Sequence, residues 1–142
     1  ISRMRNTEKI NDSMDYKDDM EIVSTFVSET RDHLDEIEYG ILKFENTKQG
    51  LDSELIDSMF RAAHSIKAGA NLLEFKNIEE VSHALENILQ KLRLENLALD
   101  SEMVTVLLEA IDTIRELVDY PQNSDFAHIS TLVGKLQTTT DR

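Results

Sequence analysis

Four glycines and a single proline punctuate 142 residues, and this scarcity of turn formers restricts the chain to a few long elements. A fold of many short strands needs a turn every ten residues or so, and the chain cannot supply them. Between the breaks, apolar residues recur at spacings of three and four, the period of a helix with one buried face. The first such stretch, from about Asp19 to Glu45, aligns Ile22, Val23, Phe26, Val27, Leu34, Ile37, Ile41 and Phe44, with Gly40 interrupting it at a cost of about 1 kcal/mol. After the polar loop Asn46-Thr47-Lys48-Gln49-Gly50, Asp52 or Ser53 can cap a second helix carrying Leu55, Met59, Ala62, Ala63, Ile66, Ala70 and Leu73. A third starts where Asn77 and Glu80 have capping-box spacing and presents Val81, Leu85, Ile88, Leu89 and Leu92. The fourth, from about Ser101 to Tyr120, carries Val104, Leu107, Leu108, Ile111, Ile114 and Leu117, and must stop at Pro121. A short fifth, with a cap at Asn123 or Ser124, carries Phe126, Ile129, Leu132, Val133 and Leu136.

Short connections make successive helices antiparallel neighbours, so the pattern predicts an all-α fold. The expected architecture is an up-down antiparallel four-helix bundle with an additional C-terminal helix, occupying residues 19–137. Residues 1–18 are expected to form a flexible tail and 138–142 a C-terminal tail or linker.

Charge and composition exclude several functions. Fifteen Lys and Arg stand against 28 Asp and Glu, a net charge of −13 that repels phosphate backbones and anionic lipid, so neither nucleic acid nor a membrane surface is an expected partner. The absence of cysteine removes thiolate nucleophiles and cysteine-ligated metals. Apolar runs are short, Met103–Leu108 being among the longest, and no signal-peptide core opens the chain, so a cytoplasmic location is expected. The first residue is Ile1, and the chain is expected to be the excised first domain of a longer polypeptide.

Chemistry concentrates on the second and third helices. On a helical wheel centred on Ile66, His64 lies about 160° away, facing out, with Lys67, Ala68 and Asn71 on its side and Phe60 one turn earlier. On the third helix, centred on Leu85, Glu86 lies at about 100° and His83 at about 160°. A hairpin turning near Phe75 puts His64 and Glu86 each roughly 16 Å from the turn, at one level of the bundle. A carboxylate there fixes the imidazole tautomer and makes the other ring nitrogen the better nucleophile. A lysine three residues on offsets the charge of a phosphate, and the small Ala68 and Gly69 leave room for a partner, with the exposed Phe60 as its anchor.

These residues also carry a resemblance. Phe60-Arg61-Ala62-Ala63-His64-Ser65-Ile66-Lys67-Ala68-Gly69-Ala70, followed by Phe75-Lys76-Asn77-Ile78 and His83-Ala84-Leu85-Glu86-Asn87-Ile88-Leu89, resembles the histidine phosphotransfer (HPt) family. It is most similar to the amino-terminal phosphotransfer domains of CheA-type chemotaxis kinases, and the opening helix, Phe26 to Glu38, resembles theirs too. The resemblance implies a helical bundle whose exposed His64 accepts a phosphoryl group and passes it to an aspartate of a response regulator receiver domain. By position, Lys67 is the neighbouring cation, Glu86 hydrogen-bonds the imidazole and His83 lines the site. Phe60, Ala68 and Asn71 fall on the partner-binding side. The donor is the ATP-binding domain of a histidine kinase, which holds ATP and Mg²⁺, so this domain needs no cofactor of its own and is a carrier rather than an enzyme. Three positions depart from the family, which often has glycine where Ala68, Asn71 and Glu74 stand; loss of glycine at Glu74 removes an easy left-handed helix end.

Two alternatives stand beside this reading. Glu80-x-x-His83 has the spacing of di-iron bundle ligands, but no second copy exists, and Glu80 fits a cap better. A docking module without phosphotransfer would share the bundle and the acidic surface, and would be indifferent to loss of His64. His33 and His128 are expected to be structural or solvated. The chain has no glycine-rich phosphate loop, and one reactive histidine on an acidic domain needs no dimer.

Overall fold

A computed structural model describes residues 19–45, 52–95 and 99–139. The expected tails, 1–18 and most of 138–142, and the polar loop 46–50 lie outside or at the edge of these residues. Acidic side chains start three of the helices. Asp19 Oδ1 accepts the backbone N–H of Glu21 and Ile22 at 3.0 and 3.2 Å, opening α1 (Met20–Glu45). Asp52, rather than Ser53, caps α2 (Ser53–Leu73) by accepting from Glu54 and Leu55, and Asp100 caps α4 (Ser101–Asp119) by accepting from Met103. Each cap satisfies amide groups that the first helical turn leaves without partners.

Between α2 and α3 (Lys76–Glu95) the chain reverses in two residues. Glu74 takes the left-handed conformation, φ 63° and ψ 32°, and its N–H reaches the carbonyls of Ala70 and Asn71. Phe75 follows, buried, its N–H bonded to Ala70 and its ring centroid 5.8 Å from that of Phe26. After α4, a 3₁₀ turn (Pro121–Phe126) leads to α5 (Ser130–Thr138).

The four long helices form a closed ring in which α1 packs on α2, α2 on α3, α3 on α4 and α4 back on α1, while α5 lies against α3 and α4. At its centre Leu34, Ile37, Ile41, Met59, Ile66, Leu85, Leu89, Leu107 and Ile111 are almost fully withdrawn from water. Arg115 of α4 clasps Asp35 and Glu38 of α1 at 2.8 and 2.6 Å across the outside of one seam. Glycines allow close approach at another: a Cβ on Gly40 would overlap the Met59 side chain, and one on Gly69 would lie 2.8 Å from the Phe26 ring. The interruption at Gly40 is thus the price of a tight α1–α2 seam.

Several sequence expectations change. The Asn77–Glu80 capping box does not form, because the reversal at Glu74 and Phe75 delivers the chain into α3 early enough to put Asn77 inside its first turn. Asn77 instead ties the bundle to the 3₁₀ turn, its amide donating to the carbonyls of Ser124 and Ala127 and its backbone N–H to Asp125, all at 2.9 Å. Phe126 is 83% exposed rather than core, and Ser124 is buried with its hydroxyl on the Pro121 carbonyl rather than capping a helix. The last helix therefore starts at Ser130, after His128, and extends to Thr138, with Thr139 buried behind it. Ile56 takes the buried place expected of Leu55, and Leu108 is half-buried, because the stripe drifts relative to the bundle axis along a straight helix.

Candidate functional site

The antiparallel pairing of α2 and α3 sets polar side chains opposite one another at regular intervals. Asp57 meets Arg93, His64 meets Glu86, and Asn71 meets Glu79, each step of seven residues, about two turns, up α2 matching an equal step down α3. By the same register His83 stands across from Lys67. This seam explains why Glu86, a flanking position on the wheel, is 6% exposed.

Both oxygens of Glu86 are used. Oε2 lies 2.6 Å from Nδ1 of His64 and Oε1 accepts from the Lys67 ammonium at 2.7 Å. Burial pushes the Glu86 carboxyl up, but the hydrogen bonds from Lys67 and His64, together with the cationic charge beside it, outweigh that and hold it below its ordinary value. The group is therefore an anion at neutral pH, and an anionic carboxylate can only accept. It follows that Nδ1 of His64 is the donor, and in the neutral imidazole the lone pair is then on Nε2. With Nδ1 turned to the buried carboxylate, Nε2 lies on the far side of a ring whose side chain is 56% exposed. The arrangement presents one nucleophilic nitrogen to solvent.

A second contact reaches the ring from its face. Phe60, one turn earlier on α2, stacks on His64 with centroids 6.3 Å apart and planes inclined by 20°. Phe60 is half-buried and packs on the core, not the free anchor expected of it, because the guanidinium of Arg93 covers it at 4.3 Å. Arg93 is in turn held by Gln90 at 2.7 Å and Asp57 at 3.4 Å. Sequence reasoning missed Arg93, although Glu86, Gln90 and Arg93 have the spacing of one helix face.

The other candidates divide. His64, Lys67 and Glu86 converge; His83 is exposed on α3, one turn before Glu86, and among the described residues no side chain bonds it. Ala68 is exposed on the turn after His64. Asn71 is exposed and donates to Glu79 at 2.8 Å, bracing the hairpin end. His33 lies 3.9 Å from Glu36, His128 is exposed, and among the described residues no group of three or more metal-ligating side chains converges. Glu80 is exposed and takes no capping role. Beside this site a groove of about 430 Å³ runs between α1 and α2, lined in part by Ile22, Phe26, His33, Ser65, Gly69 and Leu72. No helix of the described residues is long and apolar enough to cross a membrane.

Comparison with known proteins places this geometry. The chain is similar to the chemotaxis protein CheA of Salmonella typhimurium, 33% identical over 113 residues, which cover 80% of this chain and 16% of that protein. It is 32% identical over 123 residues to CheA of Treponema pallidum, covering 83% of this chain and 14% of the relative. The chain thus spans about a sixth of the length of these curated relatives. Among solved structures, the CheA phosphotransferase domain from Thermotoga maritima matches with a TM-score of 0.64 and 34% identity, over 70% of this chain and 93% of that one. The phosphorylated P1 domain of CheA3 in complex with CheY6 from R. sphaeroides shares the fold with a TM-score of 0.71 at 22% identity, over 84% and 94% of the two chains. A sequence profile of the Hpt domain matches residues 21–117. That stretch begins in α1 and ends in α4, spanning the whole four-helix ring, and the chain belongs to the Hpt domain family.

Proposed function

We propose that this chain is the phosphocarrier of a chemotaxis-type two-component system. His64 takes a phosphoryl group from ATP held by a histidine kinase domain and passes it to an aspartate of a response regulator receiver domain. The observation that carries this reading is the grip of the buried Glu86 carboxylate on Nδ1 of His64. Relatives named as chemotaxis proteins, and a similar domain solved in complex with CheY6, support the choice of partners.

The chemistry follows from the tautomer. Nε2 has no proton to lose, so its lone pair attacks the γ-phosphorus directly. As the N–P bond forms, the bond from phosphorus to the bridging oxygen breaks and its electron pair leaves with ADP. The ring then carries a positive charge, which the Glu86 carboxylate stabilises through Nδ1–H. Lys67, one turn from His64 and paired with Glu86 at rest, supplies the cation that offsets the phosphate. ATP and Mg²⁺ belong to the kinase domain, and the carrier binds no cofactor of its own. The exchange takes place in the cytoplasm, and the acidic chain meets neither nucleic acid nor membrane.

Incubation with radiolabelled ATP, Mg²⁺ and a CheA-type kinase core, beside a His64→Gln control, tests the reading. Label that survives base, is lost in acid and is confined to the wild type is the expected result. Equal labelling of the His64→Gln protein would overturn it.

A further inference from the structure

We infer that Arg93 is a positioning residue for His64, acting through the ring of Phe60. The inference rests on the reading of His64 as the phosphoacceptor. The hydrogen bond from Nδ1 to Glu86 holds one edge of the imidazole, and about that single link a half-exposed ring can still pivot. A stacked neighbour removes the pivot, and Phe60 supplies it, with ring planes within 20° of parallel. Phe60 is itself only half-buried and needs a support of its own. The Arg93 guanidinium provides it, lying 4.3 Å from the ring centroid.

Placement along the seam makes the chain of contacts directional. Arg93 is anchored to Asp57, one turn before Phe60 on α2, while His64 is one turn after it. Phe60 therefore stands between the cation and the nucleophile, and Gln90, at 2.7 Å, holds the guanidinium from its own helix. The contacts of Arg93 are with Asp57, Gln90 and the Phe60 ring, and it reaches the imidazole only through that ring. Its contribution is to keep the Nε2 lone pair aimed for in-line attack, the orientation on which phosphoryl transfer depends.

The test compares wild type with Arg93→Met, which keeps the apolar stem, Arg93→Lys, which keeps the charge, and Phe60→Leu, which keeps the core packing. Each is phosphorylated by a kinase core and, separately, by the small donor phosphoramidate, with thermal melting recorded in parallel. Arg93→Met should lower kcat about two- to fivefold with KM unchanged, the range spanned by one lost cation–π contact. The same factor should hold with phosphoramidate, Arg93→Lys should recover part of the loss, and adding Arg93→Met to Phe60→Leu should cost nothing further. A lower melting temperature with unchanged kcat would make Arg93 a clasp between helices and no more. A raised KM with an unchanged phosphoramidate rate would make it a partner contact; either result overturns the inference. A wild-type chain that no donor labels defeats the phosphocarrier reading instead, and nuclear relaxation of the His64 ring in the unmodified variants then decides whether Arg93 holds it.

Discussion

Glu86 shows how one buried charge assigns roles to two neighbours. Its two oxygens are bound by different donors, the His64 ring and the Lys67 ammonium, so replacing it with glutamine removes the charge but keeps the shape. The amide can donate to Nδ1, which shifts the ring proton to Nε2 and removes the nucleophilic lone pair. Glu86→Gln should therefore slow phosphorylation of His64 about tenfold or more, the worth of one hydrogen bond to a charged group; initial rates with a kinase core measure it. Glu74 is a residue in the opposite situation, tolerated rather than needed. A side chain at φ 63° is strained, and glycine relieves the strain while enlarging the unfolded ensemble. Glu74→Gly should stabilise the fold by about 0.5–1 kcal/mol net, read by chemical denaturation.

At the scale of elements, the helices explain themselves and their seams do not. Three of the four long helices have an acidic cap and all four an apolar stripe, both visible in the chain. Which glycines are spacers depends on the neighbour. Gly134 on α5 has nothing within 4 Å of an added methyl, so Gly134→Ala should stabilise by about 1 kcal/mol, the ordinary helix-propensity gain. Gly69 faces the Phe26 ring, which is wedged against Phe75, so Gly69→Ala should lose stability by about 1–3 kcal/mol instead. Thermal melts of the two variants must move in opposite directions; a shift of the same sign would disprove the tight α1–α2 approach. Asn77 teaches the same lesson, since its cap-like spacing concealed a link to residues almost fifty positions away.

The whole molecule couples the site to acid stability. Glu86 has its folded value held below the ordinary 4.5, so its contribution to stability is complete above that pH and is lost as pH falls through the lower folded value. Wild type should be more stable than Glu86→Gln at neutral pH, with the difference narrowing once pH drops below 4.5. Melting curves of both proteins across that range provide the check, and a difference that stays constant into strong acid would contradict the ionised, doubly bonded carboxylate. The Arg115 clasp on Asp35 and Glu38 is common to both proteins and so drops out of the comparison.

By itself the sequence determined the helical class, the order of the helices, the hairpin level of His64 and Glu86 and the outward face of His64, because apolar period, caps and spacing are local properties of a chain. Tertiary structure alone decided that Glu86 is buried with both oxygens occupied, that Phe60 is covered by Arg93, that Asn77 reaches the 3₁₀ turn and that Phe126 stays in water. Each of these depends on which flank of one helix its neighbour covers. A wheel gives the angle of a side chain about its own axis and says nothing of the axis packed beside it.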